Sequence, residues 1–235
     1  MSRRHTDREF EAELAELRQR ILLMAGRVEK MIALAMQALV EEDLELARTT
    51  IRRDDRVNQD EIEIDERCLL ILARWQPMAF DLRFITHASK MGTDLERIGD
   101  MAVHICERVE DLYQSGYGGP FVRIPRMAEI VQEMLHDAVD AFVAEDVEQA
   151  EAVLRRDDEV DALYHDIFLG LLQRMSAGIE PVARCVAVQN IATYLERIGD
   201  HATNLAEQVI FVLRGRDVRH GGKRSPSDPP PVNSV

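Results

Sequence analysis

Aromatic residues, cysteine, proline and glycine are all scarce in this chain, and long apolar runs are missing. Of the 235 residues 5% are aromatic, and there are 3 cysteines, 8 prolines and 12 glycines. Widely spaced cysteines in odd number form neither a disulfide framework nor a zinc signature. No stretch approaches the roughly 18 apolar residues of a membrane span, and the N-terminus has no apolar signal core. These absences predict a cytoplasmic protein.

An excess of basic residues is also missing. The chain has 29 Lys and Arg against 43 Asp and Glu, a formal net charge of −14 at pH 7. Because an acidic surface repels phosphate backbones, nucleic acid is excluded as a partner. The abundant residues are Ala, Leu, Glu, Arg and Met, which favour helix, and 46% of the chain is hydrophobic. The composition therefore predicts an all-α fold with a packed core.

The chain contains the same unit twice. Residues 51–58, IRRDDRVN, return at 154–161 as LRRDDEVD, and residues 93–100, TDLERIGD, return at 193–200 as TYLERIGD. An identical hexapeptide in matching register is the signature of an internal repeat. The sequence therefore predicts a tandem duplication.

Each copy is expected to form three long helices with short connections, which make antiparallel neighbours and hence a three-helix bundle. The helices are expected at 7–42, 44–74, 80–113, 125–144, 147–175 and 181–213. The first repeat is placed at 7–114 and the second at 121–216, on either side of a Gly-rich linker. A tail at 217–235 has no apolar period and is expected to be disordered.

Polar side chains, most of them oxygen-bearing, form a stripe along the third helix of each copy, opposite the apolar face that carries Leu95 and Ile98. In the first copy this stripe consists of Ser89, Thr93, Glu96, Asp100, His104 and Glu107. A solvated face is the simplest explanation of such a pattern. However, the stripe contains no Lys or Arg, and carboxylates one turn apart repel each other by a few tenths of a kcal/mol.

The second helix of each copy begins a stripe of the same kind, with Asp54 and Asn58 in the first copy and Asp157 and Asp161 in the second. Two adjacent helices of this type supply the six or so oxygens that a hard cation requires. Such oxygen-rich sites suit Mg²⁺, Mn²⁺ or iron. The paired stripes therefore favour a metal site in each copy.

A histidine and two glycines lie on or beside the stripes. His104 lies on the stripe and is a candidate ligand, although its counterpart in the second copy is Asn204. Gly99 and Gly199 border the apolar face, and we assign them to close approach of neighbouring helices, since a glycine within a helix costs roughly 1 kcal/mol relative to alanine.

At these residues the sequence resembles the PhoU family, the accessory proteins of phosphate-specific ABC transport. The resemblance runs from the first helix to about residue 220. It rests on DDRVN at 54–58, RWQP at 74–77, the twin LERIGD segments and GRDVRH at 215–220. It implies two tandem three-helix bundles, the same fold that the repeat predicts.

The resemblance also implies a multinuclear metal cluster in each repeat, bound by the family's E(D)xxxD motifs. The positions that match these motifs are Asp54, Asn58, Glu96, Asp100, Asp157, Asp161, Glu196 and Asp200. Asn58 replaces the usual acid, and Tyr164 stands where the first copy has Glu61. These departures predict that the two sites load metal unequally.

The function implied by the resemblance is negative regulation, without enzyme activity. Family members keep phosphate-starvation genes off and restrain uptake when phosphate is ample. The implied partners are the ATPase subunit of a phosphate ABC transporter and a sensor histidine kinase. The protein is expected to reach the membrane only through these partners and to form a homodimer.

Two other functions stay open. A carboxylate-bridged di-iron oxidoreductase would present Glu-x-x-His motifs toward the bundle core, whereas this chain has Glu-x-x-x-Asp on the face away from the leucines. A helical scaffold without metal is the second alternative, and elemental analysis of the purified protein would identify it.

Overall fold

The computed structural model describes residues 3–114 and 123–215, and within these residues it contains seven α-helices and no strand. The helices are α1 Arg3–Glu41, α2 Leu44–Ile51, α3 Asp54–Trp75, α4 Ala79–Gln114, α5 Ile124–Ala144, α6 Val147–Ser176 and α7 Val182–Arg214. The predicted all-α fold is confirmed. The linker expected at 115–120 and the tail expected at 217–235 lie outside the described residues, so the limits of the repeats stay predictions.

The second helix of the first copy is broken, whereas a single helix was predicted over 44–74. α2 ends at Ile51, and α3 begins three residues later. The Thr49 hydroxyl donates to the Glu45 carbonyl at 2.8 Å, and the Thr50 hydroxyl donates to the Leu46 carbonyl at 2.8 Å. Such bonds from threonine back to the preceding turn compete with the helical pattern and bend helices. The second copy has Ala and Val at the matching positions 152 and 153, and α6 is continuous.

The turn between the first two helices is the same in both copies. The Asp43 carboxylate accepts a hydrogen bond from the Leu46 N–H at 2.9 Å, and Asp146 accepts from the Glu148 N–H at 2.8 Å. An aspartate at this position satisfies backbone donors that the first helical turn leaves free. The shared cap reverses the chain after α1 and after α5.

The helices form two layers. α4 packs against α3 on one side and α7 on the other, and α7 in turn packs against α6, so the front layer runs α3–α4–α7–α6. α1 lies behind α3 and α4, α5 lies behind α6 and α7, and α1 contacts α5. The predicted apolar face of α4 is fully buried between these layers, at Leu95, Ile98, Ala102, Ile105 and Val109. The opposite faces of the front-layer helices carry the polar stripes.

The two repeats meet along α4 and α7, which run antiparallel. The Asp94 carboxylate of α4 lies 2.9 Å from His201 Nδ1 of α7, and the Tyr194 ring lies 5.1 Å from the His104 ring. The part of α4 that contacts α7 corresponds in the repeat to the part of α7 that contacts α4. The two repeats are therefore related by an approximate two-fold axis. None of the helices in the described ranges is long and apolar enough to cross a membrane.

Candidate metal sites

α3 crosses α4 at a glycine. A Cβ atom added at Gly99 would lie 3.2 Å from Val57 Cγ1 and 3.4 Å from Asp54 Oδ1. Because Gly99 has no side chain, the Asp54 carboxylate can lie directly against α4, beside the position that precedes Asp100. The assignment of Gly99 to close helix approach is confirmed.

Toward the other end of the same pair of helices, the two polar stripes are joined by hydrogen bonds. The Ser89 hydroxyl donates to Asp65 Oδ1 at 2.6 Å, and the Thr93 hydroxyl donates to Glu61 Oε1 at 3.4 Å. These bonds show that the stripes of α3 and α4 face each other over several turns. The candidate metal ligands lie further along the same two stripes.

Buried oxygen atoms without a hydrogen-bond donor mark the first candidate site. Asn58 Nδ2 donates to Asp54 Oδ2 at 2.9 Å. The remaining oxygens, Asp54 Oδ1 and Asn58 Oδ1, are buried and have no hydrogen-bond partner. Leaving such an acceptor unsatisfied costs about 1–3 kcal/mol. A cation next to these two oxygens would satisfy both, so the residues present fit a hard metal ion.

The carboxylates of the first site are crowded. Burial raises the pKa of Asp54, an effect opposed by the hydrogen bond from Asn58 and increased by the nearby Asp100. Burial and the Asp100 carboxylate also raise the pKa of Glu96. Arg97 contacts this pair from the solvent side, with Nη1 3.2 Å from Asp100 and Nε 3.4 Å from Glu96. Its side chain is half exposed, and exposed ion pairs contribute little, so a metal ion would displace it readily.

The second candidate site repeats this geometry with more charge. A Cβ atom at Gly199 would lie 3.8 Å from Asp157 Oδ1. Burial and the Asp161 and Asp200 carboxylates raise the pKa of Asp157 to about 6. The pKa of Glu196 is raised by burial and then by Asp200 and Asp161. Four carboxylates therefore converge where the first site has three and an amide.

The structure thus places the eight predicted residues in two groups of four, each across a pair of adjacent helices. Within the described ranges, however, no three His, Cys, Asp or Glu side chains already stand in an arrangement that encloses an ion. Metal binding would therefore require side chains of each group to rotate toward a common point. The assignment of these residues as ligands stays a prediction.

His104 lies beside the first site. Its ring packs 5.1 Å from the Tyr194 ring, and its Nδ1 atom is buried without a hydrogen-bond partner. The matching Asn204 instead donates to Asp94 at 3.5 Å across the contact between α4 and α7, here called the seam. The two copies therefore use this position differently, as the sequence comparison of His104 with Asn204 suggested.

Sequence reasoning missed the contacts between the repeats. Asp94 accepts hydrogen bonds from Asn204 and Gln208 and pairs with His201, all three on α7. A cleft of about 350 Å³ next to this cluster contains none of the eight candidate ligands. The one signal in the sequence was the mismatch between Asp94 and its counterpart Tyr194.

Two tandem three-helix repeats, each with a carboxylate-lined groove between its last two helices, define a class of duplicated helical-bundle proteins. The PhoU domain family matches residues 21–109 and 124–209, which is most of the chain. This chain belongs to the PhoU family.

Named relatives agree with this assignment. A protein of Pseudomonas putida called phosphate-specific transport system accessory protein PhoU homolog is 41% identical over 219 residues, covering 93% of this chain and 86% of the relative. The Escherichia coli (strain K12) phosphate-specific transport system accessory protein PhoU is 34% identical, covering 93% and 91%. Both are named accessory proteins rather than enzymes.

Solved structures show the same architecture. The crystal structure of PhoU from Pseudomonas aeruginosa superposes with a TM-score of 0.84 at 40% identity, covering 88% of this chain and 100% of that one. The phosphate transport system regulatory protein PhoU from Streptococcus pneumoniae gives a TM-score of 0.83 at 27% identity, covering 89% and 99%. The tandem-bundle fold predicted from the repeat is confirmed.

Proposed function

We propose that this chain is a negative regulator of phosphate uptake and of the phosphate-starvation response. It acts as a cytoplasmic adaptor between the ATPase subunit of a phosphate ABC transporter and the cytoplasmic region of a sensor histidine kinase. The observation that carries the proposal is family membership over nearly the whole chain, with relatives named as accessory proteins of a phosphate-specific transport system. We also propose that it functions as a homodimer.

Deleting the gene tests the regulatory role. With ample phosphate, the deletion strain should express a phosphatase reporter of the starvation response, and the intact gene should restore repression. A reporter that stays repressed in the deletion strain would reject negative regulation. Binding of the purified protein to the purified ATPase subunit and kinase region tests the adaptor role separately, and binding to neither would reject it.

We propose further that each repeat holds Mg, Mn or Fe ions. Asp54, Asn58, Glu96 and Asp100 would hold the metal of the first repeat. Two observations support this: the buried oxygens of Asp54 and Asn58 have no donor, and burial, followed by repulsion from the Asp100 carboxylate, raises the pKa of Glu96. A bound cation would supply the positive charge that offsets this repulsion. The chain's own contribution is to hold the two helices in register through the Gly99 crossing.

The double variant Glu96→Ala, Asp100→Ala tests the first site. It should lose the metal of the first repeat, keep that of the second and release repression of starvation genes. The matched control removes two exposed acids from α5, Glu129→Ala and Asp140→Ala, and should change neither readout. Full repression without bound metal would reject the metal mechanism and leave the adaptor role intact.

The same preparation separates the alternatives. Elemental analysis that finds no Mg, Mn, Fe or Zn would favour the scaffold without metal. Oxygen consumption after addition of Fe²⁺ would favour the di-iron oxidoreductase. We expect metal and no oxygen consumption, since the candidate ligands lie on the face of α4 opposite the buried Leu95 and Ile98.

A further inference from the structure

The groove between α6 and α7, here called the second-repeat groove, has two chemically different halves. Its acidic half consists of Asp157, Asp161, Glu196 and Asp200. Its apolar half consists of Phe168, Leu172 and Val182. Along each helix the members of both halves recur at helical spacing, so they lie on the same outer face.

Two contacts fix the register of these helices. Asp157 Oδ1 lies 3.8 Å from the Cβ position of Gly199, and seven residues further along α6 the Tyr164 hydroxyl lies 3.4 Å from Thr193 Oγ1. The two helices therefore run antiparallel past each other. Continuing this register by one and two turns places the α6 members of the apolar half opposite the N-terminal turns of α7. The two halves thus form one continuous groove.

The apolar half is exposed. Phe168 and Leu172 are each 41% exposed, and Val182 is 62% exposed. Ile179, in the turn between the two helices, extends the same surface and is 62% exposed. Single exposed apolar residues are ordinary, but a contiguous group bordered by charges marks an interaction site.

The first repeat keeps only part of this apolar half although it has the same fold. Leu69 and Leu82 stand at the positions of Leu172 and Val182, and they are 59% and 42% exposed. Asp65, however, stands at the position of Phe168, and its carboxylate accepts a hydrogen bond from Ser89 at 2.6 Å. Since the first repeat folds with an aspartate here, the fold does not require the phenyl ring. Phe168 therefore points to a task that the second repeat alone performs.

We propose that the second-repeat groove binds an amphipathic helix of a partner protein, with apolar side chains over the apolar half and Lys or Arg over the acidic half. Charge complementarity selects this occupant: the acidic half brings together four carboxylates on a chain of net charge −14. A helix laid in a groove presents apolar anchors at i, i+3, i+4 and i+7. Phe168 is the aromatic residue of the groove, and aromatic side chains dominate interface energetics.

One consequence rests on the metal sites proposed above. A metal ion and the basic end of the partner helix would use the same carboxylates, so each weakens the binding of the other. Metal occupancy of the second repeat would then control docking. The docking proposal itself requires no metal.

A synthetic helical peptide tests the groove in the full-length protein. The probe carries leucines on one face of its first half and lysines on the same face of its second half, and its binding is followed by fluorescence anisotropy in EDTA. Phe168→Asp should weaken binding by about tenfold or more. Two controls, Val143→Asp on α5 and Leu69→Asp in the first repeat, remove apolar residues that are 47% and 59% exposed, and they should bind like the parent. Replacing the lysines of the probe by glutamates should abolish binding.

Each contrary result overturns the proposal. Thermal melts first establish that the variants are folded. If folded Phe168→Asp binds the probe as tightly as the parent, or Leu69→Asp weakens binding equally, the second-repeat groove is not the site. If the parent does not bind the probe, the proposal is rejected. If Phe168→Asp in that case converts a dimer into monomers during sedimentation, the groove joins two copies of this chain.

Manganese separates the docking proposal from the metal proposal. If the parent binds Mn²⁺ without any loss of affinity for the probe, competition for the carboxylates is refuted. If the parent binds no Mn²⁺, the proposed metal function fails, and docking is still decided by Phe168→Asp in EDTA.

Discussion

Replacing Asp157 by asparagine should stabilise the metal-free protein above neutral pH. Burial, together with the neighbouring Asp161 and Asp200 carboxylates, raises the pKa of Asp157 from its ordinary 3.8 to about 6. A shift of about two pKa units corresponds to an upper limit of about 3 kcal/mol for keeping the carboxylate ionised in the folded state. Because Asp157 is only partly buried, solvent screening reduces this to about 1–2 kcal/mol.

The direction of the pH dependence follows from the sign of the shift. A carboxyl whose pKa is raised by folding holds its proton more tightly in the folded state. The stability associated with the proton is therefore complete below the unfolded pKa of 3.8 and is lost as pH rises through about 6. Asparagine carries no charge at any pH and avoids this loss. The gain of Asp157→Asn over the parent should be near zero at about pH 3 and complete at about pH 8.

Urea unfolding in EDTA at these two pH values measures the effect. Asp158→Asn is the matched control, because Asp158 is the next residue of α6 and is exposed, and it should change stability little at either pH. Adding Mn²⁺ should stabilise the parent and stabilise Asp157→Asn less. The reasoning is refuted if Asp157→Asn is no more stable than the parent at the higher pH, or if it gains equally at both.

Two further predictions concern the glycines and the seam. Gly26→Ala should raise the free energy of unfolding by about 0.5–1 kcal/mol, because nothing lies within 4 Å of the new Cβ. Gly99→Ala should gain no stability, because its Cβ would lie 3.2 Å from Val57. Thermal melts of the two variants compare these effects. Asp94→Ala removes the carboxylate that pairs with His201 across the repeats and should cost about 2–4 kcal/mol in urea unfolding. A loss no larger than that of an exposed aspartate would contradict the seam contact.

The helices and their polar faces could be predicted because both depend on neighbours in sequence. Spacing along one helix fixes which residues share a face, and short connections fix which helices are neighbours. In the second copy the three predicted helices agree with the structure to within one residue at each end. The break before Asp54 was missed because it depends on the hydroxyls of Thr49 and Thr50, whose bonds to the preceding turn are a local detail without periodicity.

The candidate sites were predictable for the same reason, and the seam between repeats was not. Asp54 and Asp100 come together through one crossing inside a repeat, which the two motifs identify. The contact of Asp94 with His201 depends on how one bundle sits on the other, and that is set by the shapes of both surfaces rather than by any spacing. His201 gives no periodic signal in the sequence.

Comparing the two copies separates what the shared fold needs from what each repeat adds. The LERIGD segments, identical in both copies, place Gly99 and Gly199 where an aspartate of the adjacent helix approaches. The copies differ where one bundle contacts the other, as at Asp94, and along the outer groove, as at Phe168. A duplicated protein that only needed two equal metal sites would have no use for these differences. Because the outer grooves differ, the two repeats present unlike surfaces, as the proposed adaptor role requires.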